Sequence, residues 1–280
     1  MEGLHLADRI QIVRHRDLLP FWGVKRATEP GFMRSLITWM GGPEGYINTN
    51  IEHAVESQHC AVGVMDMAVG NRQPGVHVHT MNEIYVILDG QVESIDGVGN
   101  KHIAGPLDCL FIPTGVPHGV RTVGDQDVKL LWINDDLEKW GAAVYLEGPD
   151  PAPAENEISL IEMKDLESRW SNSAVPGEMH WNVNWVAGRE TDHNSDVAVP
   201  SDRISLELCV VQPANRIREP VRDGNQLFVV AKGQAVAKID QDTVVLDRQD
   251  AIFFPIGTSI DLRCISDEPL ALVKIVELSS

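Results

Sequence analysis

His77, His79 and Glu83 lie within Gly75-Val-His-Val-His-Thr-Met-Asn-Glu-Ile-Tyr-Val-Ile-Leu-Asp-Gly90, and His118 follows further along the chain. Three neutral imidazoles and one carboxylate make a protein shell for a divalent transition metal. On a strand, His77 and His79 point to one face, because side chains alternate with period two. Glu83 shares that parity if the strand continues, and it can also reach the face from a neighbouring strand if Thr80-Met81-Asn82 turns. His118 comes after the turn Pro113-Thr-Gly115 and can close the site from across a barrel. Such a shell leaves open positions on an octahedral ion for substrate and for dioxygen or water, which signals chemistry rather than structure. Mn, Fe, Co, Ni, Cu and Zn all accept imidazole; availability favours Fe(II) or Mn(II), and one Fe(II) ion per chain is expected. Glu83 can also swing off the metal and take a proton from substrate. Tyr85, on the same face, is the second catalytic candidate.

The elements that position these residues are written twice. Tyr85-Val-Ile-Leu-Asp-Gly90-Gln-Val matches Phe228-Val-Val-Ala-Lys-Gly233-Gln-Ala, and Leu107-Asp-Cys-Leu-Phe-Ile-Pro113-Thr-Gly115 matches Gln249-Asp-Ala-Ile-Phe-Phe-Pro255-Ile-Gly257. The lead-ins repeat as well: Ile10 to Leu18 with Trp22 echoes Ile158 to Leu166 with Trp170, and Trp39 ahead of Gly42 echoes Trp185 ahead of Gly188. Repetition on this scale predicts two copies of one unit, residues 1–146 and 158–280, joined by the Pro-rich linker 147–157. Turn punctuation predicts strands at 33–39, 60–67, 83–89, 91–96, 108–113, 119–123 and 127–134, then at 204–211, 226–232, 234–239, 242–246, 250–255, 259–264 and 269–277. A helical turn or short helix is expected around 15–22 and again around 163–170. Many short antiparallel strands and little helix predict an all-β chain of two tandem double-sheet jelly-roll barrels.

With Gly90 set on Gly233, the three clustered ligands fall on Pro220, Arg222 and Gln226; with Pro113 set on Pro255, His118 falls on Ile260. The second half is therefore expected to keep the scaffold and lose the metal, unless other residues such as Glu207 or Asp223 supply ligands.

Alternation also sketches a pocket. Ile87 shares the face of Glu83 and Tyr85, and an outward Lys129 sends Val128, Leu130, Trp132 and Asn134 inward. An outward Asp66 sends Gly63, Met65 and Met67 inward, and the same parity in the second half puts Leu206, Leu208 and Val210 inside. Met65, Trp132 and Asn134 are the substrate-contact candidates in a mostly apolar cavity. Arg72 and His102 are weaker ones, and the remaining histidines (His5, His15, His53, His59, His180 and His193) show no metal spacing and read as surface residues.

The two motifs resemble the signatures of the cupin superfamily: glycine, His-x-His, Glu and Gly90 in the first, and Gly105-Pro-Leu-Asp108 through Pro113-Thr-Gly115 to His118 in the second. The asparagine that usually follows the last histidine is absent. Over nearly its whole length the chain looks like a bicupin. The resemblance implies His77, His79, Glu83 and His118 as ligands, with quercetinase-like dioxygenases and oxalate-type decarboxylases as the activities. A small dianion calls for an arginine near the metal, and the inferred inward positions supply none. An Fe(II) dioxygenase cleaving a phenolic or enolic small molecule, with dioxygen as co-substrate, is therefore the first expectation. A redox-neutral isomerase, lyase, decarboxylase or hydrolase is the alternative. A ligand-binding or storage bicupin is the non-catalytic alternative, and the intact ligand set counts against it.

The 280-residue chain is 43% apolar and 23% charged, with a formal charge of −18. That charge repels nucleic acid and anionic membrane surfaces. No apolar run approaches membrane-spanning length, and the first residues lack a signal-peptide pattern. Cys60, Cys109, Cys209 and Cys264 are scattered in apolar runs, so buried thiols and a reducing, cytoplasmic location are expected. Sheet edges and an N-terminal arm suggest a homo-oligomer, a dimer being the simplest.

Overall fold

Valine, isoleucine and aromatic residues crowd the segments expected to be extended, and glycine, proline or aspartate punctuates them, so the chain has little choice but strands. The computed structural model describes residues 9–42, 49–137, 143–146, 156–171, 175–188, 197–219, 224–239 and 241–278. Among them there is no α-helix, only strands and the single 3-10 turns His15–Asp17 and Met163–Asp165.

The chain divides into two compact units, residues 18–164 and residues 1–17 with 165–280. In the first, a seven-stranded sheet runs in the order Ser159–Ile161, Cys109–Ile112, Glu83–Asp89, Val128–Asn134, Ala61–Met67, Arg34–Gly41, Val55–Glu56. A three-stranded sheet of Gly119–Val123, Gln91–Ile95 and Lys101–Ala104 forms the other wall, and the short pair His77–Val78 and Val144–Tyr145 extends it. Met65, Met67, Tyr85, Ile87, Leu130 and Trp132 line its core, as alternation predicted. In the second unit, Gln11–Val13, Ala251–Phe254, Gln226–Lys232, Leu270–Glu277, Ile204–Val211, His180–Ala187 and Arg169–Trp170 make the large sheet, with Val199–Pro200 beside His180–Ala187. Arg216–Glu219, Ile260–Cys264, Ala235–Ile239 and Asp242–Leu246 make the smaller one. Both units are double-sheet jelly rolls.

The repeat extends into backbone detail. Trp39 and Trp185 each sit at a register shift of their strand, between Thr38 and Met40 and between Asn184 and Val186, and both indoles are fully buried. Leu107 and Gln249 occupy the same left-handed corner, at φ 68° and 72°, where a side chain is uncommon. After each corner an aspartate accepts a lead-in backbone N–H: Asp108 from Met163 at 2.8 Å and Asp250 from His15 at 3.0 Å.

Those lead-ins change the division expected at the linker. Gln11–Val13 pairs with Ala251–Phe254, and Ser159–Ile161 pairs with Cys109–Ile112. Each lead-in thus completes the sheet of the other copy. Self-similarity identifies a lead-in but carries no information about which of two equivalent edges it joins. The linker itself lies largely outside the described residues, as do Pro220, Arg222, Asp223, His5 and His193.

The parity expected of Ile204–Val211 is inverted. Cys209 and Val211 belong to the core of the second barrel, and alternation puts Glu207 on their face. Leu206 and Leu208 are fully buried on the opposite face. Treating a charged residue as outward fails here because Glu207 has an internal partner, Lys274, at 3.6 Å. Among the strands that the sequence reading lacked, His180–Ala187 and Lys101–Ala104 carry asparagines or a Lys-His pair that weaken the strand signal.

Candidate metal centre

His77 and His118 lie opposite each other on neighbouring strands and exchange two backbone hydrogen bonds, His77 N to His118 O at 2.8 Å and the reverse at 2.9 Å. Thr80-Met81-Asn82 does bend, bringing Glu83 in at the start of a different strand. Asn82 fixes that bend: its N–H and side-chain amide donate to the Asp135 carboxylate at 3.1 and 2.7 Å, and its carbonyl oxygen accepts from Thr114 N at 2.9 Å. Gly115, at φ 76°, supplies the left-handed turn from which its N–H reaches His79 O at 3.0 Å. Backbone contacts thus tie the two halves of the ligand set together.

The four side chains are buried, and their ligand atoms lie within 4.8 Å of one another. One oxygen is the focus. Glu83 Oε2 is 2.8 Å from His118 Nε2, 3.2 Å from His79 Nε2 and 3.9 Å from His77 Nε2, and it accepts a hydrogen bond from the Tyr85 hydroxyl at 2.7 Å. His118 Nδ1 donates to Val116 O at 2.9 Å, which fixes the ring with Nε2 turned towards the cluster. Nε2 of His118 and Oε2 of Glu83 thus face each other at 2.8 Å, as two donor atoms of one ion would. Three imidazole nitrogens and one carboxylate oxygen converging in this way suit a divalent ion, so the residues fit a metal.

The electrostatics agree. Burial, and then the neighbouring His118 ring, push His77 down to about 3, so it is neutral and able to bind a metal. Burial would raise the Glu83 carboxyl, but His79 and hydrogen bonds with all three imidazoles outweigh it and hold the group well below its ordinary value. Burial, followed by the charge of Glu83, pushes the Tyr85 phenol well above its own.

A cavity of about 450 Å³ opens on this cluster, lined by Met65, Tyr85, Trp132 and Asn134 as expected. It is also lined by Phe21, Lys25, Arg34 and Tyr145, which sequence reasoning missed. Arg34 departs from the expectation that the inward positions supply no arginine. It begins the strand Arg34–Gly41 and is only 2% exposed. Its guanidinium donates to Phe32 O, Lys25 O and the Tyr145 hydroxyl at 3.1, 2.8 and 3.2 Å. Among the described residues no carboxylate lies within ion-pairing distance of it. Tyr145 in turn rests on the His77 ring, with centroids 5.1 Å apart. The two weaker candidates lie outside this cavity: Arg72 bridges to Arg121, and His102 pairs with Asp96 at 3.5 Å. All four cysteines are free and buried.

Comparison with known proteins agrees with the geometry. Residues 63–134 match the family model described as Cupin domain. A dimethylsulfoniopropionate lyase of Ruegeria pomeroyi is 35% identical over 92 residues, 33% of this chain and 45% of the lyase. An acireductone dioxygenase of Leishmania infantum is 29% identical over 85 residues, 29% of this chain and 25% of that protein. The matched segments thus span less than half of either relative. Among solved structures, the oxalate decarboxylase of Lactobacillus farciminis superimposes with a TM-score of 0.62 over 96% of this chain and 86% of that one, at 15% identity. A variant of the Bacillus subtilis oxalate decarboxylase gives 0.62 over 96% and 77%, also at 15%. At that identity the likeness is one of fold. Residues 63–134 thus match the cupin domain family, and the chain as a whole has the two-barrel fold of these decarboxylases.

Proposed function

We propose that this bicupin is a metal-dependent enzyme that acts on a small carboxylate by redox-neutral chemistry, as a lyase or decarboxylase. The observation that carries this reading is Arg34, a buried guanidinium lining the metal cavity with no acidic partner among the described residues. An unpaired buried charge costs several kcal/mol, on the order of what an anionic ligand would restore. Trp132 adds a second donor, since its indole N–H is buried without an acceptor among the described residues. The expected order of activities rested on the absence of such a cation, so its presence moves the redox-neutral reading ahead of the Fe(II) dioxygenase.

In this reading His77, His79, Glu83 and His118 hold the ion. When bound, a divalent metal supplies Lewis-acid polarisation of a substrate oxygen. Arg34 takes the substrate carboxylate in a charge-assisted contact. Met65 and Trp132 exclude water from the reacting bonds. Tyr85 keeps its proton on the hydroxyl at neutral pH and shares it with Glu83 Oε2, so the pair can release or accept a proton beside the substrate. Dioxygenase cleavage of an enolic or phenolic molecule is the second reading, favoured by the aromatic surface of Phe21, Tyr85 and Trp132 in the same cavity.

Anaerobic turnover of a panel holding oxalate, dimethylsulfoniopropionate and related small carboxylates tests the choice, using zinc-, manganese- and iron-loaded protein. Product formation without oxygen uptake, retained with zinc, supports the first reading. Activity confined to iron-loaded protein and stoichiometric with oxygen uptake establishes the second.

A further inference from the structure

The second barrel carries a buried cluster at the position where the first holds its candidate metal ligands. Strand register defines the equivalence. Trp132 pairs with Tyr85 and Gly63 in the first barrel, as Lys274 pairs with Phe228 and Glu207 in the second. His77 lies opposite His118, and Glu219 lies opposite Ile260. The counterpart of His77 is therefore Glu219, one residue before the Pro220 that sequence spacing indicated. A carboxylate therefore stands in the second barrel where the first has an imidazole. Gln226 stands where Glu83 stands, since it faces Phe254 and Val276 as Glu83 faces Ile112 and Asn134.

Lys274 fills the space between these groups. It is fully buried, its Nζ lies 2.9 and 2.8 Å from the two oxygens of Glu219 and 3.6 Å from Glu207 Oε1, and the Phe228 ring is 5.8 Å away. An ammonium in this place would be untenable without the carboxylates, and the carboxylates without it. The changes come as a matched set: tryptophan to lysine, glycine to glutamate, and histidine to glutamate. A hydrophobic replacement would have served if the site had only needed closing.

We infer that Lys274 is a tethered replacement for the metal ion in the second barrel, and that the groups around it form a latent oxygen-donor site for a hard divalent cation. Glu219, Glu207 and the amide oxygen of Gln226 are the donors. That oxygen is buried without a hydrogen-bond partner among the described residues. An all-oxygen set suits Mn²⁺, Mg²⁺ or Ca²⁺ rather than a thiophilic ion. In the native chain the ammonium excludes any such cation, and the second barrel takes up no ion.

The test uses full-length protein and Mn²⁺ as the probe, read by electron paramagnetic resonance and by thermal unfolding. Lys274→Ala is expected to bind one Mn²⁺ more per chain than the wild type and to recover, with added Mn²⁺, part of the unfolding midpoint it loses. Lys274→Ala with Glu219→Gln is expected to lose the extra ion. Should Lys274→Ala fail to fold, Lys274→Met is compared with Lys274→Met/Glu219→Gln; the double variant is expected to unfold at the higher temperature, because it no longer buries an unmatched carboxylate. An unchanged Mn²⁺ count in folded Lys274→Ala overturns the latent site. A double variant that is no more stable than Lys274→Met overturns the charge pairing. Neither result bears on the first barrel, whose ligands are untouched.

Discussion

Tyr85 donates its phenolic hydrogen to Oε2 of Glu83 at 2.7 Å, the same oxygen that faces the three imidazoles. The hydroxyl therefore belongs to the proton inventory of the site rather than to its packing. Tyr85→Phe is expected to retain metal and fold while lowering kcat by about 10²–10⁴, the usual worth of a positioned acid or base. Metal content and kcat measured on one preparation decide this. Full activity in the variant would reduce Tyr85 to a wall of the cavity.

Arg34 separates binding from stability. Arg34→Met removes a buried cation that has no acidic partner among the described residues, and the relief of that charge offsets the three hydrogen bonds it gives up, so the ligand-free protein should lose little stability. Substrate affinity should fall by about 2–5 kcal/mol, the scale for losing one partner of a buried charge pair. Thermal unfolding and KM give the two readings. Strong destabilisation with unchanged KM would make Arg34 a structural residue.

Acid should weaken the metal-free fold. His77 sits at about 3 in the folded protein against an ordinary 6.5. Between those values the unfolded chain binds the extra proton, so stability falls as pH drops through that window. Glu83, held below its ordinary 4.5, works in the same direction: its contribution is full above 4.5 and is lost as pH falls through the folded value. Unfolding midpoints in chelator should decline from pH 7 towards pH 4, and His77→Leu should flatten the decline. A midpoint independent of pH would contradict the electrostatics of the cluster.

The exchanged lead-in has a stability signature of its own. Buried Asp250 accepts from Arg14 Nη1 at 2.6 Å and from His15 N at 3.0 Å. Asp250→Ala should cost about 1–3 kcal/mol by leaving that backbone donor and cation unpaired. Denaturant unfolding measures it. A change within error would mean that Gln11–Val13 is held by its strand pairing alone.

Much of this was legible in the chain because two periodicities coincide. Glu83–Asp89, Gly119–Val123, Ile204–Val211 and Gln226–Lys232 span the residues that turn punctuation marks. The four ligands carry their own chemistry at a spacing that a strand and a turn must bring together. What escaped had specific causes. Arg34 and Glu207 are charged residues inside a barrel, and only knowledge of their partners distinguishes them from solvent-facing ones. Tyr145 reaches the site on a two-residue strand, too short for any periodicity. Glu219 was hidden by a one-residue difference between the repeats, which only strand register reveals.

Elemental analysis of protein purified without added metal tests the central claim most directly. The arrangement of His77, His79, Glu83 and His118, with Lys274 in place of an ion in the second barrel, predicts about one divalent transition metal per chain, lost in both His77→Ala and His118→Ala while far-UV circular dichroism stays unchanged. A content near two ions per chain, or one ion retained in both variants, would contradict it.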